Sequence, residues 1–275
     1  MPKVLLCPPN YFDVVDQKNP YMSRESAVDR VKARRQWDEL RSVLQQNGCE
    51  VETIDPVEGF EDMVFAANQV FVGEKERYGK FVVPSRMVYA SRHREVPFYA
   101  DWFRTRGYKV IELDYYGDDY LEGHGDLLWH PDGSRIYGGY GFRSTQGGVE
   151  KFAAAMSEMG IPVVPLQLVD PYCYHLDTCL CPLNSESALI FPGAYSPEAL
   201  ASLHKIWKRV HLLTADEAHR FMGNGIVIHD AYIASHMTPQ LETILQHEGL
   251  KTIIVNTSEF EKAGGSCSCM KTFLP

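Results

Sequence analysis

Four short segments hold side chains suited to acid/base and nucleophilic work. The densest is Tyr172-Cys-Tyr-His-Leu-Asp-Thr-Cys-Leu-Cys-Pro182. His175 and Asp177 are one residue apart, so in an extended strand both emerge on one face, an acid/base group beside an anion. The plainer reading is a core histidine with a loop aspartate. The second segment is Ala263-Gly-Gly-Ser-Cys-Ser-Cys-Met270. Two glycines ahead of a cysteine permit close backbone approach and unusual dihedrals, which suits a nucleophile at a turn. Cys269 and His175 are far apart in the chain, as catalytic Cys/His partners usually are; alone, such a cysteine reads equally as a small buried hydrophobe. In Leu121-Glu-Gly-His-Gly-Asp126 glycines isolate Glu122 and Asp126 on an expected flexible loop, or on a plain turn with Asp126 bonding its own backbone. The fourth segment, Asp62-Met-Val-Phe-Ala-Ala-Asn68, reads as a strand with polar ends on an apolar body.

His175, Cys179, Cys181, Cys267 and Cys269 could in principle converge on zinc. The cysteines are paired as C-x-C, however, where structural zinc sites use C-x2-C, so no metal is expected. No GxxxxGK[ST] or GxGxxG occurs, and no cofactor is expected.

Composition narrows the partners. The chain has 275 residues, 45% hydrophobic and 23% charged, with 27 basic against 36 acidic residues and a formal charge of -9. Nucleic acid needs clustered Lys and Arg and is not favoured; a cationic small molecule is. The apolar runs, such as Val4-Leu-Leu-Cys7, fall far short of the roughly 20 residues of a membrane span. Seven cysteines, an odd number without regular spacing, read as free thiols in a reducing cytoplasm.

The elements that must position these residues follow from periodicity. A strand at 3–7 leads through a polar loop, from Pro8 to about Ser23, to a helix from about Ser26 to Gln46. Val28, Val31, Trp37, Leu40, Val43 and Leu44 form its apolar face, and Asn47-Gly48 its stop. A strand at Glu50–Ile54 closes the unit. The order then returns. Strands Met63–Val72 and Phe81–Pro84 precede a helix near Pro97–Arg106 and a strand Tyr108–Leu113. Leu127–His130 and Arg135–Gly138 flank the hairpin turn Asp132-Gly133, ahead of a helix near Val149–Glu158 and a strand Pro162–Leu168. Cys179–Pro182, Ser187–Phe191, a helix near Pro197–Lys208 and Val210–Leu213 form the next unit. Phe221–Ile228, Ala231–Ala234, a helix near Gln240–His247 and Thr252–Val255 form the last. Hairpin, helix, strand thus occurs four times, and a fifth unit is complete if the C-terminal residues pair with the opening strand. One closed α/β domain over residues 1–275 is the economical reading. A doubly wound parallel sheet is the runner-up, but it would not require so many hairpins.

In this order, DMVFAAN, SRHRE, EGHGD, YGFRS, HLDTC and GGSCSCM resemble the guanidino-group-modifying superfamily, or penteins. That superfamily includes arginine deiminases, dimethylarginine dimethylaminohydrolases and amidinotransferases. The resemblance implies a five-bladed α/β propeller of ββαβ modules about a pseudo-fivefold axis. LLCPPNYFDV, the loop Asn19-Pro20-Tyr21-Met22, YHLDTCLCPL and Pro192-Gly-Ala194 are most similar to the arginine dihydrolase module of cyanobacterial arginine-catabolic proteins. Those carry a further C-terminal domain, so the chain is expected to be a stand-alone relative or a truncated module. The resemblance implies Cys269, not Cys267, as nucleophile, His175 as general acid/base, and Glu122 as the carboxylate that contacts the guanidinium and orients His175. It implies Asp177 and Asp62 as substrate-binding acids, Arg92 and Arg143 as a clamp on the α-carboxylate, and Asn19 as a further substrate contact. Asn68 stands where deiminases and dimethylarginine hydrolases place Asp, as in the dihydrolase branch. The partner implied is a small guanidino compound such as arginine, in a cytoplasmic enzyme for which a homo-oligomer is compatible.

The chemistry expected is attack by Cys269 on the guanidinium carbon, with His175 protonating the departing ammonia and then activating water. Asn68 can donate to a neutral ureido product, which favours a second hydrolysis and ornithine. The alternatives are a one-step hydrolase giving citrulline, an amidinotransferase, and a zinc-binding or structural scaffold.

Overall fold

The computed structural model describes residues 1–23 and 27–275. Five three-stranded sheets form among them. In each, a central strand runs antiparallel to one neighbour and parallel to the other, which it reaches through a helix. In the first sheet Lys3–Leu6 is central, antiparallel to Lys271–Leu274 and parallel to Glu50–Thr53 beyond the helix Arg30–Gln46. The second comprises Val70–Lys75, Gly79–Pro84 and Lys109–Val110, with the helix Val96–Arg104. The third comprises Leu127–Trp129, Ile136–Tyr140 and Val163–Gln167, with the helix Gln146–Glu158. The fourth uses Leu180–Pro182, Ser187–Ile190 and Arg209–Leu212 around Pro197–Ile206. The fifth uses Ile226–Ile228, Ala231–Ala234 and Lys251–Ile254 around Pro239–His247. The C-terminal strand does pair with the opening one, so the first unit is closed by the two ends of the chain.

The helices start where local chemistry directs. Asp29, Thr145, Ser196 and Thr238 each accept a hydrogen bond from the backbone N–H three residues on, satisfying a donor the first turn leaves free. Each apolar cluster of the core joins two successive sheets. Leu5 and Val72 share one cluster, Phe71 and Phe152 the next, Tyr137 and Ile190 the third, Leu189 and Tyr232 the fourth, and Ile233 and Trp37 the fifth. The packing order therefore returns to its start. One edge strand from every sheet also lines a single large cavity, through Val72, Trp129, Leu180, Ile226 and Phe273. Among the described residues no helix is long and apolar enough to cross a membrane.

Four expectations are corrected. The first helix begins at Arg30, and the expected start at Ser26 lies outside the described residues. Val31 is 81% exposed, while Gln36 takes a place on the buried face. Its amide donates to Asn256 Oδ1 (2.7 Å) and Ser258 Oγ (2.9 Å) and accepts from the Glu259 N–H (3.0 Å), so burial of this polar group is compensated. Met63–Ala67 is a run of turns, with the strand beginning at Val70. Likewise Phe221–Asn224 is a turn ahead of the strand at Ile226.

Candidate active site

Cys269 sits in a single turn of 3-10 helix, Ser268–Met270, where the chain enters its last strand. The two preceding glycines are needed here. A Cβ on Gly265 would lie 2.4 Å from the Phe65 ring and 3.2 Å from Cys269 Cβ, and one on Gly264, at φ +83, would strike Asn19 and the Tyr174 hydroxyl. Asn224 holds the turn from behind: its Oδ1 accepts from the Ser268 (3.1 Å) and Cys269 (3.4 Å) N–H groups, and its Nδ2 donates to the Asp177 carbonyl (2.8 Å). The Cys269 thiol donates to Asp177 Oδ2 at 3.3 Å. Burial and then the Asp177 charge hold this thiol well above the ordinary cysteine range. Burial likewise pushes the Asp177 carboxyl up to about 7, against the pull of Lys271 and the Cys269 hydrogen bond.

His175 and Asp177 are not on a strand. His175 has extended backbone and Leu176–Thr178 is a 3-10 turn, so the two side chains part instead of sharing a face. Asp177 meets Cys269, and His175 Nε2 lies 2.8 Å from Glu122 Oε2. Burial lowers the imidazole to about 4 despite Glu122, so the ring is neutral near pH 7. With an ionised carboxylate as partner, Nε2 carries the proton and Nδ1 the lone pair.

Glu122 caps and Asp126 ends one helical turn, Gly123–Asp126, and both carboxylates are buried. Asp126 does not bond its own backbone: it accepts from the Ser144 hydroxyl (2.6 Å) and the Leu176 N–H (3.1 Å), tying this turn to the His175 segment. Burial opposes ionisation of Glu122, yet Arg143, His175 and Arg92 bring its carboxyl down to about 2. Arg143 Nη1 donates to Glu122 Oε2 at 3.1 Å, and its guanidinium lies between the Tyr89 and Tyr174 rings, 4.8 and 4.7 Å from their centroids.

The turns at Asp62–Asn68 supply the opposite wall. Arg92 Nη1 donates to Asn68 Oδ1 (2.9 Å), and Arg92 Nη2 reaches Glu95 Oε2 and the Asp62 carbonyl (both 3.3 Å). Because Arg92 can only donate, Asn68 must present its oxygen to it, which leaves the amide NH2 on the other side. That Nδ2 is buried without a hydrogen-bond partner and would lie 2.3 Å from a Cβ on Gly125. Asp62 pairs with Lys18 Nζ at 3.0 Å.

A narrow cavity is lined by Cys269, His175, Asn68, Asp62, Arg92, Arg143 and Asn19 together with Lys18, Tyr174 and Phe65. Glu122 and Asp177 stand directly behind His175 and Cys269. The candidate nucleophile, acid/base and substrate-binding residues thus gather at one place, and both arginines are buried rather than solvated. Asn19 is fully engaged inside the protein: its amide donates to the Ala263 carbonyl (2.9 Å) and Tyr174 Oη (3.3 Å), and its oxygen accepts from the Tyr21 and Met22 N–H groups. It shapes the wall. Lys18, Tyr174 and Asn224 were missed; Lys18 adjoins the Asn19 loop, while nothing local distinguishes Asn224. The cavity is also not purely anionic, since Lys18, Arg92 and Arg143 face Asp62, Glu122 and Asp177.

The cysteines weighed for zinc do not assemble into a ligand group among the described residues. The one set of donors that does is Asp170, Cys173 and His219, within 4.8 Å of one another. There His219 Nε2 and Asp170 Oδ2 already pair at 2.7 Å.

Closed α/β packing around a buried cysteine, histidine and carboxylates defines a class, and sequence comparison names it. The chain belongs to the family described as N,N dimethylarginine dimethylhydrolase, eukaryotic, whose model matches residues 9–273. It is 34% identical over 98% of its length to the bifunctional arginine dihydrolase/ornithine cyclodeaminase AgrE of Nostoc sp., and spans 37% of that protein. It is 31% identical to the N(G),N(G)-dimethylarginine dimethylaminohydrolase of Mycobacterium tuberculosis, over 96% of this chain and 83% of that one. Among solved structures, a substrate-bound mutant of the N-terminal domain of ArgZ, an arginine dihydrolase from cyanobacteria, matches with a TM-score of 0.91. The identity is 30%, covering 99% of this chain and 98% of that one.

Proposed function

We propose that the chain is a cysteine-dependent hydrolase of the guanidino group of arginine that carries out two hydrolyses, giving ornithine, two ammonia and carbon dioxide. The five sheets are read as blades of a propeller about a pseudo-fivefold axis, forming one catalytic domain over residues 1–275. Seven free, buried thiols fit a reducing cytoplasm, and the partner is a small zwitterionic cation.

The amino acid's α-carboxylate faces Arg92 and Arg143, and its amine Asp62. The guanidinium enters between Asp177 and Glu122, next to the Cys269 sulfur. In the free protein the thiol is protonated and bonded to Asp177; the incoming cation relieves that negative field, and the thiol proton passes to His175 Nδ1. The thiolate bonds to the guanidinium carbon. Collapse of the adduct breaks one C–N bond, and the proton on His175 leaves with ammonia. His175 then takes a proton from water, whose oxygen displaces the sulfur and leaves a ureido group.

One observation favours a second round over release. The unpartnered Asn68 Nδ2 is a buried donor with its amide orientation imposed by Arg92, suited to the carbonyl oxygen the first round creates. Attack on the retained ureido carbon expels the second ammonia. Hydrolysis of the resulting thiocarbamate gives a carbamate that loses carbon dioxide. The test is mass-spectrometric product analysis with arginine, methylarginines, agmatine and citrulline. Ornithine from arginine is expected, with Cys269→Ala inactive; citrulline accumulating without ornithine would reject the dihydrolase reading in favour of a one-step hydrolase, the alternative that the Mycobacterium tuberculosis relative supports.

A further inference from the structure

The large cavity bordered by one edge strand of each sheet, about 520 Å³, has a different lining from the proposed active site. It is mostly apolar, through residues such as Trp129, Leu180, Ile226 and Phe273, yet Asp177, Ser268 and Lys271 also border it. It therefore approaches the Cys269 turn from behind. Lys271 is 8% exposed, and its ammonium donates to Ser268 Oγ (3.2 Å) and lies 4.7 Å from the Phe273 ring centroid. Among the described residues no carboxylate lies within 4 Å of it. Every other lysine or arginine buried as deeply here, Lys18, Arg92 and Arg143, has such a partner. A buried ammonium without a contact ion is costly, and its position two residues past the thiol suggests what its field acts on.

We propose that Lys271 is a positioning residue that sets the ionisation of the Cys269–Asp177 pair, supplying from the rear cavity the positive field that allows negative charge to reside there. The proposal concerns a residue outside the set carried by the family resemblance, and rests on the reading of Cys269 as nucleophile only for its effect on turnover. Burial pulls the Lys271 ammonium below the ordinary lysine range, and the groups facing it, Asp177, Cys181, Cys269 and Cys267, act to keep its proton, with His124 beyond. Those facing Asp177 are Cys269 and Lys271, with Asp126, Tyr174, Cys179 and Cys181 around it. Lys271 is thus the cation on the sulfur side, while Arg92 and Arg143 act on Glu122. In a protein interior, a cation whose field reaches a neighbouring ionisable group moves it by about one pH unit, or tenfold in thiolate population.

The experiment is the pH dependence of iodoacetamide alkylation at Cys269, read by peptide mass spectrometry, which needs no assumption about substrate. Lys271→Met and Lys271→Gln should each shift the midpoint upward by about one unit and slow alkylation about tenfold near neutral pH, and Lys271→Arg should restore the wild-type midpoint. The acid limb of kcat/KM with arginine should move in the same direction. An unchanged midpoint in whichever neutral variant folds, or an Arg variant shifted like Met, would overturn the proposal. Shifted alkylation with no turnover in any protein would instead refute the function reading alone.

Discussion

Asn68→Asp is the most informative single change. It alters one atom type at a position whose neighbours are known: Oδ1 already accepts from Arg92 Nη1 at 2.9 Å, and Nδ2 has no partner. The substituted carboxylate retains the Arg92 contact but turns the free donor into an acceptor carrying negative charge. A cationic guanidinium should bind at least as well. The ureido carbonyl would lose a hydrogen bond and face a lone pair in a buried site, an unfavourable change of about 1–3 kcal/mol. At 1.36 kcal/mol per tenfold, the partition of bound intermediate toward second attack should fall roughly 5- to 150-fold. Arginine consumption should continue at a similar rate while the ornithine-to-citrulline ratio falls by that factor, measured by chromatography and mass spectrometry on single-turnover and steady-state samples. An unchanged ratio would refute the argument that donor chemistry at Asn68 governs product retention; equal loss of both products would mean that the new carboxylate disrupts the Arg92 network instead.

Two further outcomes follow from the same geometry. Asp177 has a folded-state pKa of about 7, above its unfolded value, so the folded protein holds that proton more tightly. Its stabilisation is full below about pH 4 and lost as pH rises through about 7. Asp177→Asn should therefore melt higher than wild type at about pH 8.5 and reduce the fall in Tm between mildly acidic and alkaline buffer, while abolishing turnover. Glu95, also raised to about 7 by burial, should leave part of that fall in place. Gly265→Ala sets a methyl 2.4 Å from Phe65, so denaturant unfolding should show a loss of about 1–3 kcal/mol, and activity should fall as the Cys269 turn is displaced.

Much of the architecture was legible because it is local. Alternating and helical periodicities, capping residues and the Asp132-Gly133 turn report backbone preference within a few residues, and the repeated hairpin, helix and strand followed from them. The glycines and polar residues around Cys269 were legible as motifs for the same reason. What failed was inference from apolarity to strand. Met63-Val-Phe-Ala-Ala67 is buried as turns, with the Phe65 N–H donating to the Asp62 carbonyl (3.0 Å) and the Ala67 N–H to the Cys269 carbonyl (3.1 Å). His175 and Asp177 were expected on one face, but a 3-10 turn sends them to different partners. The set of reactive residue types was written in the chain, along with the neutral amide at Asn68. Protonation states, the orientation of that amide, the roles of Lys18 and Asn224 and the unpaired charge of Lys271 were decided only by tertiary structure, because desolvation and Coulomb energy depend on which distant segments pack together.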